Sequence, residues 1–346
     1  MILRKWGAFI VFALLLRLPA QTVVPAWTTS IPPFRIAGNL YYVGSEDLAA
    51  YLIVTSQGDI LINSTLAANV PLIRRNVRAL GFRFSDIKIL LISHAHYDHC
   101  GGSARIKQLT GAKYLVMDGD AQVVESGGRA DFQYAHDPTM YFAPAKVDRV
   151  LHDGDTVKLG ETVLTAHLTA GHTRGTTTWT FDEVEAGKTL HVVIVGGPNL
   201  NPSTKLVGNH AYPRIAGDFE HGFAVLKSLQ CDVFLGAHGS YFDLMEKRAR
   251  NRNGEHNAFI DPEGYKAYIA DREQAFEGEL KRQFALGRPV GVSFLMLRKG
   301  SAASALARAS SARHYISFGF SPDSRSYGTR NMLAISSGFN PAAISL

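Results

Sequence analysis

The sequence predicts an α+β fold in which two β-sheets pack face to face between outer layers of helices. Of its 346 residues, 46% are hydrophobic, which is enough for a sizeable core. Predicted strands and helices follow the same order in two successive halves: strands, helix, strand, helix. The stretch "IKILLIS" (87–93) is apolar almost throughout, as in a strand covered on both faces. Because each sheet and helix must bury an apolar face, this order favours two sheets with helices outside.

The first half begins with strands and continues as an alternation. Val70, Ile73, Val77 and Leu80 have helical spacing in "VPLIRRNVRALGF", where the early proline suits a first turn. Alternating and apolar runs bounded by turn residues predict the strands. The predicted strands are 39–45, 49–65 (a hairpin), 87–93 and 113–117, and the predicted helices are 70–82, 103–111 and 120–125.

The second half follows an irregular, aromatic-rich segment at 127–148. Three strands are predicted in succession, and a polar turn at Glu185–Lys188 joins the last two. The final helix, 262–285, has a one-sided apolar pattern typical of an amphipathic helix. The predicted strands are 162–170, 176–181, 189–197 and 232–238, and the predicted helices are 216–229 and 262–285.

The two ends of the chain differ from its body. Residues 1–20, "MILRKWGAFIVFALLLRLPA", have the basic start and short apolar run of a secretory signal peptide, cleaved between about 20 and 26. An uncleaved anchor is the alternative. One domain is expected over 30–286, followed by a Ser/Ala-rich, poorly ordered tail at 287–346. We therefore expect a periplasmic or secreted protein without membrane contact after signal removal.

The charge of the chain is concentrated at these ends. The net charge is +6, yet residues 21–296 hold 27 basic and 29 acidic side chains. A near-neutral body argues against nucleic acid as a partner.

A dense group of polar residues follows the apolar strand at 87–93. In "ILLISHAHYDHCGG" (89–102), His94, His96, Asp98 and His99 fall within six positions. In an extended chain, residues two apart point to the same side, which groups the first two imidazoles. One buried histidine needs a single hydrogen-bond partner, whereas four buried polar groups in six residues would each need a partner of their own. Imidazole and carboxylate ligands suit zinc, so we predict a metal site here.

Two further histidines follow strand ends and neighbour glycine. His172 lies in "TAGHTRG" (169–175), and His238 lies in "LGAHGS" (235–240). Loops at strand ends are where functional side chains concentrate on a rigid scaffold.

These motifs, in this order, resemble the metallo-β-lactamase superfamily, with its His-x-His-x-Asp-His loop, Gly-His-Thr turn and late histidine. The resemblance covers roughly 35–286. It implies the metallo-β-lactamase fold, a four-layer αβ/βα sandwich, with two zinc ions in the groove between its halves. The resemblance implies a first zinc held by His94, His96 and His172, and a second held by Asp98, His99 and His238.

The strand after the Gly-His-Thr turn narrows the choice among the reactions known for this superfamily. Thioesterases and lactonases of this superfamily carry a bridging aspartate after the Gly-His-Thr turn, whereas residues 190–202 here hold no Asp, Glu or Cys. The pattern is similar to the third β-lactamase subclass (B3). It implies a monomeric, secreted zinc hydrolase that opens the β-lactam ring of penicillins, cephalosporins and carbapenems. A zinc-bound hydroxide would attack, with His94, His96 and Asp98 as its catalytic ligands.

Two alternatives stay open. One is another hydrolase of this fold, such as a lactonase or a glyoxalase II-like thioesterase. The other is a binding protein that keeps the fold without chemistry, although all six ligand residues are present.

Five positions bear on substrate or metal binding. Subclass B3 often has serines that hold the substrate carboxylate where this chain has Gly196, Gly197 and Asn199, so Asn199 is a candidate donor. Arg174, beside the Gly-His-Thr turn, is a candidate for an anionic substrate, with a solvated arginine as the alternative. Asn63 stands where relatives commonly have an aspartate that supports a ligand, which predicts zinc affinity lower by up to about 10–100-fold.

Overall fold

The computed structural model describes residues 24–286. The predicted signal peptide (1–20) and tail (287–346) lie outside the described residues. Among the residues described, no helix combines the length and apolar composition needed to cross a bilayer.

Twelve strands form two sheets in the described part of the chain. The first sheet contains seven strands in sequence order: β1 (Phe34–Ala37), β2 (Leu40–Tyr42), β3 (Tyr51–Thr55), β4 (Gly58–Ile62), β5 (Ile87–Leu91), β6 (Lys113–Met117) and β7 (Arg149–Leu151). The second contains five, in the spatial order β12-β11-β10-β9-β8: β8 (Thr156–Leu159), β9 (Thr162–Leu168), β10 (Thr177–Glu185), β11 (Lys188–Val195) and β12 (Val233–Gly236).

Pairing directions follow the connections. Hairpins give antiparallel pairs, as between β3 and β4 and between β10 and β11. Crossovers through helices give parallel pairs from β4 to β6, and also between β11 and β12.

Helices on the outer faces of the two sheets complete the sandwich. The helices of the described residues are α1 (Pro25–Thr28), α2 (Val70–Ala79), α3 (Tyr97–Cys100), α4 (Ser103–Thr110), α5 (Asp118–Glu125), α6 (Ile215–Ser228), α7 (Leu244–Arg252) and α8 (Pro262–Leu286). One core cluster joins the inner sheet faces around Trp179 and continues to α6 and α8, and a second joins the first sheet to α2 and α4. The predicted α+β sandwich is confirmed, including the hairpin turns, the helix at 70–79 and the long final helix.

Six of the elements named above were not predicted: α1, β1, α3, β7, β8 and α7. β7 and β8 are short and largely exposed, so they lack the apolar run that marks a buried strand. α7 buries only Leu244 and Lys247, so its sequence shows no apolar stripe.

Candidate metal centre

The loop after β5 carries the four crowded residues into the interior. His96 is still extended, with φ −98° and ψ 152°, and α3 begins at the next residue. All four side chains are buried, with His99 completely so. The short helix then places Asp98 and His99 beside His94, whose ring centroid lies 4.1 Å from that of His99.

The six predicted ligands converge in two groups of three. In the first group, the ligand atoms of His94, His96 and His172 all lie within 4.8 Å of one another. His96 Nδ1 is 3.1 Å from His172 Nε2.

The second group joins the same loop to the end of β12. His99 Nε2 is 3.1 Å from His238 Nε2, and Asp98 Oδ2 is 3.2 Å from the first and 3.6 Å from the second. Tetrahedral zinc with bonds of about 2.0–2.1 Å places its ligand atoms roughly 3.3 Å apart. These spacings therefore fit zinc.

Backbone and carboxylate acceptors fix the orientation of three imidazoles. The Nδ1–H groups of His94 and His172 donate to the carbonyls of Gly196 (3.1 Å) and Asn199 (2.7 Å), which leaves Nε2 free as a ligand. His238 Nδ1 donates to Asp47 at 2.9 Å in the same way.

His96 has the opposite orientation. Its Nδ1 faces His172, and its Nε2 lies 3.7 Å from Asp131 Oδ2. Asp131 Oδ1 accepts from the backbone N–H groups of Gln133 and Tyr134, both at 2.7 Å. His96 Nε2 and Asp131 Oδ2 have no closer hydrogen-bond partner among the described residues, so they are left to each other.

The protonation states suit metal ligands. Burial lowers the pKa of His94 well below its usual value and that of His172 to about 3, so both imidazoles are neutral. Burial alone would raise the pKa of Asp98, but its interaction with His99 holds the pKa below the usual range. The carboxyl group is therefore ionised.

Asp120 links the two loops that carry the first ligand group. It follows β6, and its carboxylate accepts from Ala95 N at 2.8 Å, Thr173 Oγ1 at 2.8 Å and Gly175 N at 2.9 Å. Burial raises its pKa to about 6. Its three hydrogen bonds fix the backbone on either side of the ligands.

The ligands open into a cleft of about 410 Å³. Tyr134 and Met140, from the irregular 127–148 segment, line it, together with Trp27 and Tyr241. Phe132 of the same segment instead packs against Tyr212. Only part of the 127–148 segment therefore borders the cleft.

The structure places the three remaining candidates differently. Asn199 lines the cleft, and its Oδ1 accepts from Tyr268 at 3.2 Å. Arg174 does not line the cleft, because its guanidinium donates to the Ala211 carbonyl and lies over the Tyr212 ring. This exposed placement fits the alternative of a solvated arginine, and contact with an anionic substrate stays a prediction.

Asn63 also has a different role from the expected one. Its amide contacts Ser93, accepting from the backbone N–H at 2.7 Å and donating to the hydroxyl at 3.0 Å, and it contacts none of the six ligands. It fixes the backbone next to His94 and does not orient a ligand imidazole.

Three functional carboxylates were missed from the sequence: Asp47, Asp120 and Asp131. Only Asp120 had a usable signal, because it follows the end of a buried strand. The other two are isolated acids in loops with no spacing pattern around them.

The chain is similar to known metal-dependent hydrolases in both sequence and structure. A model of the metallo-β-lactamase superfamily matches residues 48–184. The native FEZ-1 metallo-β-lactamase from Legionella gormanii is 56% identical, with a TM-score of 0.74, over 74% of this chain and 98% of that one. The chain belongs to the metallo-β-lactamase superfamily.

Within this superfamily, similarity extends to subclass B3. The class B3 di-zinc metallo-β-lactamase LRA-12 from an Alaskan soil metagenome is 38% identical, with a TM-score of 0.72, over 75% of this chain and 99% of that one. A curated hydroxyacylglutathione hydrolase from Bradyrhizobium sp. (strain ORS 278) is 33% identical over 116 residues, 34% of this chain and 36% of that protein. The chain thus spans less than half the length of such curated relatives.

Proposed function

We propose that this protein is a secreted, zinc-dependent β-lactamase that hydrolyses penicillins, cephalosporins and carbapenems. One observation carries the proposal: six ligand residues from three distant loops converge in two groups at the zinc-compatible spacing. The 56% identity to FEZ-1 supports the β-lactam as substrate. We further propose that the exported chain acts as a monomer in the periplasm or outside the cell.

The proposed sites hold two zinc ions. His94, His96 and His172 would hold the first, and Asp98, His99 and His238 the second. Bound zinc supplies a Lewis acid for the carbonyl and lowers the pKa of water to about 7.

The chain's own residues would orient the reactants. Asp98 is ionised and lines the cleft. It would therefore accept a hydrogen bond from the attacking water and orient that water toward the carbonyl. Asn199 engages Tyr268 through Oδ1, which leaves its amide N–H₂ to donate to the substrate carboxylate. Trp27, Met140 and Tyr241 would form apolar contacts with the body of the antibiotic.

A thioesterase activity is the second candidate, since several curated relatives are hydroxyacylglutathione hydrolases. The end of β11 argues against it. A side chain at Gly197 would lie 3.4 Å from the His94 ring and 3.6 Å from that of His172, so this backbone borders the site without offering a carboxylate.

Kinetics with zinc-loaded protein test the proposal. We expect turnover of nitrocefin and a carbapenem, and little or none of a glutathione thioester or a lactone. His172→Ala should abolish hydrolysis, whereas His152→Ala, an exposed histidine far from the cleft, should leave it intact. Absence of β-lactam turnover in zinc-loaded protein would refute the proposal, and thioester turnover in its place would favour the second candidate.

A further inference from the structure

Two further clefts lie on the helical layer outside the first sheet. They measure about 420 Å³ and 310 Å³, and they adjoin, since Arg74, Arg78 and Leu109 border both. Arg75, Arg83 and Arg105 complete the rim, and no acidic residue lines either cleft. We call this region the arginine cleft. It shares no lining residue with the metal-centre cleft.

The arginine side chains of α2 have no partner in the described part of the chain. Within residues 24–286, the side chains of Arg74, Arg75 and Arg78 form no ion pair or hydrogen bond. Six arginines elsewhere on the surface each pair with a carboxylate: Arg35, Arg149, Arg214, Arg250, Arg272 and Arg282. Like charges one helical turn apart, as at Arg74 and Arg78, repel each other and destabilise a helix. An unpaired cluster of this kind is suited to an anion from outside the chain.

The floor of the arginine cleft is apolar. Ala67, Val70, Pro71 and Leu109 line the larger cleft, and Phe82 lines the smaller one. Guanidinium groups bind phosphate through paired N–H donors, while an apolar floor accepts hydrocarbon. The ligand that matches both features carries a phosphate on an apolar body.

We propose that the arginine cleft binds the head groups of anionic phospholipids and thereby holds the protein at a membrane surface. Clusters of four or more basic residues on one surface are suited to anionic lipid. Here α2 contributes three arginines, and Arg105 and Arg83, the latter paired with Asp86, bring the cluster to five. A free phosphate would leave the apolar floor uncovered, and the near-neutral body of the chain disfavours nucleic acid. This proposal revises the expectation of no membrane contact, and it does not depend on the hydrolase function.

Vesicle co-sedimentation of the full chain tests the proposal. Phosphatidylcholine vesicles with and without phosphatidylglycerol are compared for the wild type and for Arg74→Gln/Arg78→Gln. The matched control, Lys158→Gln/Lys188→Gln, makes the same charge change at exposed positions on the other sheet. Because the signal peptide and tail are present in all three proteins, their contribution cancels. Far-ultraviolet circular dichroism and the thermal midpoint serve as checks that each variant is folded.

The expected result is a preference for phosphatidylglycerol that weakens with salt. At about 1 kcal/mol per arginine, the arginine double variant should lose about 30-fold in partitioning, while the lysine control stays near the wild type. Equal losses in both variants would overturn the proposal by showing a general charge effect. Displacement by inorganic phosphate at matched phosphate concentration, or a larger loss of duplex DNA binding than of vesicle binding, would also overturn it.

Discussion

Asp131→Asn isolates the orientation of one metal ligand. Asp131 Oδ1 holds two backbone N–H groups at 2.7 Å, so the new amide keeps its oxygen there. Its N–H₂ group then replaces Oδ2 and faces His96 Nε2 across 3.7 Å. In the ligating form of His96, Nδ1 must be bare and Nε2 must carry the proton. The substitution therefore places the new N–H₂ donor opposite the Nε2–H donor of His96. This arrangement favours the tautomer with the proton on Nδ1, which cannot bind zinc at that atom.

The size of the effect follows from burial. The two side chains are only 8% and 3% exposed, so water cannot replace the lost acceptor. Loss of a partner that orients a metal-bound histidine costs about 10–100-fold in metal affinity, or about 1.4–2.7 kcal/mol. We expect the upper half of that range.

Zinc affinity is measured by competition with a chromophoric chelator at about pH 8, where protonation of imidazole no longer competes. Asp137→Asn is the matched control, because it removes the same charge from the same segment at an exposed site that caps a short helix. A second readout uses the metal-free protein. Burial lowers the pKa of His96 but Asp131 raises it, so the variant should titrate at lower pH by NMR. Unchanged zinc affinity together with an unchanged His96 titration would refute the reasoning.

Three further predictions concern stability. Asp120→Asn should cost about 1–3 kcal/mol, because the amide cannot accept from the backbone N–H groups on both sides, and urea unfolding of metal-free protein would measure it; a loss below about 0.5 kcal/mol would contradict the linking role. Burial raises the pKa of Glu183 to about 7 from 4.5, so the stability it contributes is present at low pH and lost as pH rises through that window. Glu183→Gln should therefore match the wild type at about pH 4 and exceed its Tm at about pH 8, and parallel Tm profiles would contradict this. Trp179→Ala should cost about 3–5 kcal/mol, since the indole is 1% exposed in the inter-sheet core; a cost near that of a surface substitution would show that the core repacks around the loss.

The metal ligands could be predicted because their signal is local. His94, His96, Asp98 and His99 lie within six consecutive residues. The two later histidines each follow a strand and neighbour a glycine. The residues that orient them have no such signal. Asp47 meets His238 across 191 positions of sequence and Asp131 meets His96 across 35, so only tertiary packing brings them together.

The fold shows the same division. Strong periodicity placed α2, α8 and the β10–β11 hairpin close to their observed bounds. β7, β8 and α7 could not be predicted because they bury few residues. The two strands form through contacts with neighbouring strands rather than through a pattern in their own residues. The contacts of Asn63 and Arg174 could not be predicted for a related reason. Neither similarity to relatives at one position nor a place beside a ligand in sequence determines what a side chain contacts.

Each trio of ligands draws on both sheets. Two members of each trio come from the loop after β5 in the first sheet, and the third comes from the loop after β9 or from the end of β12 in the second. Neither trio is therefore complete until the two halves of the sandwich pack together, although His94, Asp98 and His99 of the one loop already lie within 4.8 Å of one another. An ion bound by either complete trio would link the two sheets and resist their separation.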